Sequence, residues 1–446
     1  MNGRLSISRR DFLKMAGAGL TAAGFSPLLS ACGGRPETLR MWWWGEQEAA
    51  GLEGWVNESI QRFQEESGNI IEPTLQDTAV VISEFQTASA ANNAPDIQFF
   101  WNGIYHMESV WLGHVEPLNG LIDANALANS GATALSVFQG QQYRMGWYAL
   151  PTLWIYNKEM FSQAGLDPES PPATWDAFLD ACDKLKTAGF TPMSAGLKDG
   201  FWGEWWMGLM LVQALDRFSQ SVDLFVGDLD WRDPKYHGLW DRLGELWQAG
   251  FLNDDVMSLD LYPGIELVGN GQAAMTQIMG SIVSSQAALL GEEKIGQMLV
   301  PVVGEGALAG LPVGDAQGLG ISSQSEHKEV AAEFLTFLHQ KERLDALYQQ
   351  VRIPPADLNW DASIVSDRIG REQLERWVQV DHVPWIPDLM PVLFWTDAMF
   401  VNSQNVISEG WTGEQCGENA TEVTRKWLEQ NPHMVDNYRI WAADLA

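Results

Sequence analysis

Aromatic side chains stand beside carboxylates or amides at several places in this chain. The groups are Trp42-Trp43-Trp44-Gly45-Glu46, Trp101-Asn102, and Phe201-Trp202-Gly203-Glu204-Trp205-Trp206. Asp315 and Gln317 lie in a Gly-rich run, where backbone can approach a ligand closely. An indole offers a broad apolar face and one N–H donor. A carboxylate accepts hydrogen bonds, and an amide both accepts and donates. Such a mixture suits a solute with apolar C–H faces and a rim of hydroxyls. Hydrolysis of a glycoside would need two carboxylates roughly 5–10 Å apart. No motif singles out such a pair, so no catalytic residue is assigned. No spacing of His and Cys marks a metal site, and no cofactor is called for.

A second chemistry sits at the N-terminus. Arg9 and Arg10 precede Asp11-Phe12-Leu13-Lys14, and a weakly apolar, Gly/Ala-rich stretch runs from Met15 to Leu29. Leu29-Ser30-Ala31-Cys32 follows. Paired arginines before a mild apolar stretch match a twin-arginine export signal. Small residues leave the Cys32 thiol open to acylation, as in a lipoprotein cleavage box. Residues 1–31 therefore read as a removed signal and 32–37 as a short tether. The location expected is the extracytoplasmic face of a membrane, held through a lipid on Cys32. The longest apolar run elsewhere, Trp205 to Leu215, is far short of the roughly 20 residues that a membrane-spanning helix needs.

Composition narrows the partners. The formal net charge is −31. Residues 1–31 carry +3, which leaves −34 for the remainder. A body this acidic repels nucleic acid and anionic solutes unless a local basic pocket compensates. Beyond Cys32 only Cys182 and Cys416 remain; Cys182 shares an apolar helical stripe with Trp175, Phe178 and Leu185 and reads as a buried thiol. A Cys182–Cys416 disulfide stays open. The 22 tryptophans exceed what core packing alone would call for, so some are assigned to recognition.

The elements that must position these groups alternate. Strands are expected at Thr38 to Trp44, Asn69 to Leu75 and Asp96 to Phe100. Helices are expected at Leu52 to Ser67 and Val80 to Ala91. Such alternation implies a mainly parallel α/β sheet, with ligands beyond the carboxyl ends of its strands. Further strands are expected at Leu153 to Tyr156, Ala273 to Ile278, Gln297 to Val302 and Gly318 to Ile321. Helices follow at Lys158–Ala164, Trp175–Ala188 with Thr174 as N-cap, Lys328–Gln340 and Cys416–Gln430. The length exceeds what one core usually supports, so two lobes are expected.

Tyr156-Asn157-Lys158-Glu159-Met160-Phe161, then Ala164-Gly165-Leu166 and Pro171-Pro172-Ala173-Thr174-Trp175-Asp176, resemble the family 1 extracellular solute-binding proteins of ABC transporters, of the maltose-binding type. Ala94-Pro95-Asp96-Ile97, Glu116-Pro117-Leu118, Gly271-Gln272-Ala273-Ala274-Met275, Ala331-Ala332-Glu333-Phe334-Leu335 and Arg352-Ile353-Pro354 extend the match in order over residues 38–430. The resemblance implies a type II periplasmic-binding fold with three hinge crossovers, near Thr152–Leu153, Gly304–Gly306 and Ile353–Pro354. Lobe 1 would be 38–152 plus 305–353, and lobe 2 would be 153–304 plus 354–446. It implies a monomer that binds a neutral sugar and passes it to permease subunits with a separate ATPase. It is not an enzyme on this reading, and nucleic acid is no partner.

The resemblance also assigns binding positions. Trp44, Glu46, Trp101, Asn102, Trp202, Glu204, Trp205, Asp315, Gln317 and Trp395 would touch the solute. Trp43 stays open, one of Trp205 and Trp206 must pack inward, and Trp395 could simply be buried with Met399. Where the family commonly has a tryptophan, this chain has Met279-Gly280-Ser281-Ile282, which removes one stacking platform. Rival readings are a binding protein for a phosphorylated or acidic solute such as glycerol phosphate, a secreted glycosidase, and a purely structural lipoprotein.

Overall fold

The computed structural model describes residues 36–445, apart from 79, 102–103 and 132–133. Arg9, Arg10 and Cys32 lie outside the described residues, as does Asn102. Residues 37–446 form one compact unit.

The chain begins with the expected alternation. Strand β1 (Thr38–Trp43), helix α1 (Leu52–Ser67), β2 (Ile70–Leu75), α2 (Val81–Ala90) and β3 (Ile97–Phe100) follow one another, and β1 pairs in parallel with both β2 and β3. Helix α1 forms because Leu52, Trp55, Val56, Ile60 and Phe63 fall on one buried face, and Gly68 ends it in a left-handed conformation. Helix α3 (Ile104–Trp111), strand β4 (Val115–Glu116) and the hairpin β5 (Val137–Phe138) and β6 (Gln141–Gln142) lead into β7 (Met145–Asn157).

Strand β7 is buried along its whole 13-residue length. Leu150-Pro151-Thr152 does not interrupt it, because a proline can sit in a strand where its missing N–H is not needed. Met145 to Thr152 pairs with β11 (Val313–Ser322). On its other side, the amide of Ala149 donates to Pro354 and that of Ala356 to Trp147. Beyond Thr152 the neighbours change to β9 (Ala273–Met279) and β10 (Ile295–Met298). One 9-stranded mixed sheet results, with the path β2-β1-β3-β11-β7-β9-β8, where β8 is Thr191–Met193. Every antiparallel pairing in it involves β7 or β11, the two strands that run between its halves. The flanking strands β1, β2, β3 and β8, β9 are parallel neighbours within their own halves.

The second half is helix-rich. It holds α4 (Lys158–Gln163), α5 (Trp175–Thr187), α6 (Phe201–Val212), α7 (Gln220–Phe225), α8 (Pro234–Gln248), α9 (Leu261–Gly269) and α10 (Gly280–Leu290). Thr174 caps α5 through the amide of Ala177, as its sequence indicates. Strand β10 starts and ends earlier than the run Gln297 to Val302, since the chain leaves the sheet after Met298 and Val302 bonds to Ala173 and Trp175 instead. Gly304–Leu308 lies against Gln213 to Leu215, so the chain passes to β11 only after Leu308. Helices α11 (Lys328–Leu338) and α12 (Lys341–Val351) return to the first half. The tail ends in α13 (Gly413–Gln430) and α14 (Pro432–Asp444). Helix α13 carries a complete capping box between Thr412 and Gln415.

Candidate functional site

The loop after β1 is the first builder of the site. Gly45 takes a φ of 134°, and a Cβ there would sit 2.8 Å from Leu52 and 2.9 Å from the Tyr148 hydroxyl. Only glycine permits that turn over Tyr148. The amides of Glu48 and Ala49 donate back to the Gly45 carbonyl and curl the loop inward. Two carboxylates of this loop then part company. Glu46 accepts from the amides of Gly51 at 2.8 Å and Glu53 at 2.6 Å. It supplies the cap that Gly51 cannot, satisfying free N–H groups at the start of α1.

Glu48 turns into the molecule and is 6% exposed. It accepts from the Ser281 hydroxyl at 3.1 Å and from Nε2 of Gln317 at 3.3 Å. Ser281 stands in the first turn of α10, and Gln317 on β11, so Glu48 joins the first half to the second. Burial pushes its pKa up to about 7, against the opposing pull of the hydrogen bonds from Ser281 and Gln317. Burial and the nearby Glu48 carboxylate hold the Tyr148 and Tyr262 hydroxyls above the usual tyrosine range. The Glu48 seam thus carries hydroxyls, an amide and one carboxyl, with Glu48, Tyr148, Ser281 and Gln317 buried and Tyr262 partly so.

Trp44 is buried, and its indole N–H donates to the Thr78 hydroxyl at 2.8 Å. Its ring meets Trp101 edge-on at 5.1 Å and leans on Phe99 at 5.5 Å. Trp44 and Trp101 therefore form one aromatic corner, with Trp101 only partly buried. Trp43 packs edge-on against Trp147 in the core. Asp315 and Gln317 share one face of β11, two residues apart. The Asp315 carboxylate accepts from the amide of Ala316. Arg144, fully buried, donates to the carbonyls of Ala316 at 2.7 Å and Phe100 at 3.3 Å and to the Ser136 hydroxyl. Burial lowers its pKa to about 10, while Asp315 and Asp388 act to raise it.

The second-half candidates lie deeper. Trp202 is fully buried and stacks on Trp206 at 5.6 Å with their planes 15° apart. Trp205 is buried as well, and the Trp395 indole donates to the Pro387 carbonyl at 2.7 Å. Most of the 22 tryptophans are core residues. Glu204 is buried in the first turn of α6, with Oε1 lacking a hydrogen-bond partner. Burial, then Asp388, keep its carboxyl well above the usual range, and Trp385 lies beside it. Cys182 and Cys416 are both buried free thiols.

Sequence reasoning therefore missed Glu48, Tyr148, Tyr262 and Ser281. The run Met279-Gly280-Ser281-Ile282, in the region where the family commonly carries a tryptophan, is the one signal that points toward Ser281. Among the described residues no cluster of His, Cys, Asp and Glu could hold a metal ion, and no helix is long and apolar enough to cross a membrane.

Residues 46–342 match the family model of the bacterial extracellular solute-binding proteins. The sn-glycerol-3-phosphate-binding periplasmic protein UgpB of Pectobacterium atrosepticum is 28% identical over 220 residues, 46% of this chain and 46% of that protein. UgpB of Escherichia coli K12 is 47% identical over 53 residues, 12% of this chain and 11% of that one. The match thus spans less than half the length of these relatives. Among solved structures, a chitin oligosaccharide binding protein superposes with a TM-score of 0.78 at 20% identity, covering 88% of this chain and 99% of that one. RafE, solved in complex with raffinose, gives 0.69 at 18% identity, with 87% and 99% covered. The GacH receptor of Streptomyces glaucescens gives 0.73 at 14% identity, with 88% and 99% covered. These likenesses establish the two-lobed α/β fold. With the family model matched over about two thirds of this chain, the chain belongs to the bacterial extracellular solute-binding proteins, the binding components of ABC transporters.

Proposed function

We propose that this protein captures a neutral sugar between its lobes and delivers it to an ABC permease, while a lipid on Cys32 holds it at the outer face of the membrane. The observation that carries the sugar reading is Glu48, buried between Ser281 of one half and Gln317 of β11. A carboxyl among hydroxyls and amides is a hydroxyl-binding set, and the Trp44–Trp101 corner offers the apolar face that a sugar ring needs. Asp315, Gln317 and Glu204 are the further polar contacts of this reading. The change of β7 partners at Thr152 supports dividing lobe 1 (38–152 with 305–353) from lobe 2 (153–304 with 354–446) at that point, while the contacts of Gly306 and Leu308 with Gln213 and Leu215, and of Pro354 and Ala356 with Ala149 and Trp147, argue for later boundaries at the other two crossings.

The curated relatives favour a second reading, sn-glycerol 3-phosphate. The charges weigh against it. Glu48, Glu204, Asp315 and Asp388 are all buried acids, and Arg144 already donates to two carbonyls and Ser136. A phosphate wants cationic forks or helix N-termini rather than carboxyls. A thermal-shift screen decides the matter, since a ligand that binds only the native state raises stability by RT ln(1 + [L]/Kd). Stabilisation by mono- or disaccharides and none by sn-glycerol 3-phosphate is expected. The reverse pattern would replace the sugar reading with the phosphate one. Labelled fatty acid retained by the parent chain and lost from Cys32→Ser is the matching expectation for the anchor.

A further inference from the structure

The two halves of the sheet are joined covalently by β7, by the passage into β11 and by the chain between Trp360, hydrogen-bonded to Asp345 of the first half, and Arg368, hydrogen-bonded to Ile295 of the second. The C-terminal helix α14 adds a fourth connection. Its Tyr438 and Trp441 are fully buried. On the second-half side, Tyr438 meets Phe225 of α7 at 5.1 Å and Trp427 of α13 at 5.3 Å, and those two rings meet each other at 4.5 Å. On the first-half side, Trp111 of α3 packs edge-on against Tyr438 at 4.7 Å and against Trp441 at 6.0 Å. The Tyr438 hydroxyl donates to Glu108 of α3 at 3.4 Å. At the helix end, Asp444 accepts from the amide of Gln139, in the β5–β6 turn, at 3.1 Å. One helix thus presents an aromatic ring cluster to both halves at once.

We propose that α14 is a strap that holds the two lobes in the closed arrangement, so that opening requires Trp111 and Gln139 to part from Tyr438, Trp441 and Asp444. The asymmetry of the contacts gives the direction. Tyr438 is anchored by two rings of the second half, in α7 and α13, but by one ring, Trp111, of the first. Helix α14 therefore stays with the second half, and the Trp111 face is where the strap releases. This arrangement coexists with the closed Glu48–Ser281 seam, so loss of the strap must weaken the closed state relative to the open one. The inference rests on the two-lobed fold and not on which solute is bound.

The test needs no solute. Trp111→Ala removes the first-half ring without touching α14, and Asp444→Asn weakens only an exposed tie that cannot unfold a core. Hydrogen exchange and small-angle scattering would be measured on the full chain carrying Cys32→Ser, with and without each change. Trp111→Ala is expected to speed amide exchange at Ser281–Val283 roughly tenfold, the scale of one lost aromatic pair, and to enlarge the radius of gyration. Asp444→Asn is expected to shift both in the same direction by less. Parent-like exchange at 281–283 and an unchanged radius in both variants would overturn the strap. Faster exchange confined to α7 and α13 would overturn it too, because α14 would then be ordinary packing of the second half.

Discussion

The Glu48 carboxylate accepts a hydrogen bond from the Ser281 hydroxyl at 3.1 Å across 233 positions of sequence. The contact ties the loop after the first strand to the start of α10, and it does so with an acid whose pKa is raised to about 7 by burial. An acid raised on folding costs nothing while protonated. The cost appears as pH climbs past its ordinary value of 4.5 and is complete above about 7. Stability of the closed body is therefore expected to fall between these limits, by a few kcal/mol at most. Glu108, also raised to about 7 by burial, titrates in the same window. Glu48→Gln should remove part of the slope and leave the Glu108 part. Melting curves from pH 5 to 8 check this; a slope identical in parent and variant would show that Glu48 is not the group responsible.

Gly45 is the second pressure point. A side chain there meets Leu52 and the Tyr148 hydroxyl below 3.0 Å, and its φ of 134° disfavours any L-residue. Gly45→Ala is expected to cost about 2 kcal/mol and to push the 46–49 loop outward, taking Glu48 from Ser281. Denaturant titration gives the cost. A parent-like midpoint would mean the loop relaxes freely.

Glu46 and Glu48 separate helix capping from solute binding. Glu46→Ala removes the acceptor that satisfies two amides of the α1 start and is expected to cost about 1 kcal/mol of stability. Binding of the solute identified by the thermal screen should survive in Glu46→Ala and weaken in Glu48→Ala, measured by calorimetry. Equal loss in both would place Glu46 in the site after all.

These two carboxylates also mark the limit of what the sequence made legible. The alternation over 38–100, the apolar face of α1 and the Thr174 cap were readable because periodicity and caps are local. The length of β7 was not, since a fully buried strand has no alternation and Pro151 mimicked a break. Helix α6 is apolar on nearly every side, so its sequence could not say that Trp202 stacks on Trp206 instead of facing a ligand. Which of two glutamates in one loop points inward depends on the Gly45 turn and on Tyr148, 103 positions away, and no local pattern encodes that.

The tryptophans give the sharpest contrast. Trp202 is fully buried, with its ring against Trp206, so Trp202→Ala should leave a cavity and cost roughly 3–5 kcal/mol whatever the solute. Trp101 lies partly exposed at the end of β3, edge-on to Trp44. Its removal forfeits less packing, because part of the ring already faces solvent. Trp101→Ala is therefore expected to leave the melting temperature of the solute-free chain nearly unchanged, while weakening solute binding by about 1 kcal/mol or more, the scale of a lost aromatic contact. The two measurements, melting and calorimetry, should rank the variants in opposite order. If Trp101→Ala instead melts early and binds as the parent does, its ring is part of the core of the first half, and the aromatic platform for the solute must be sought elsewhere along the Glu48 seam.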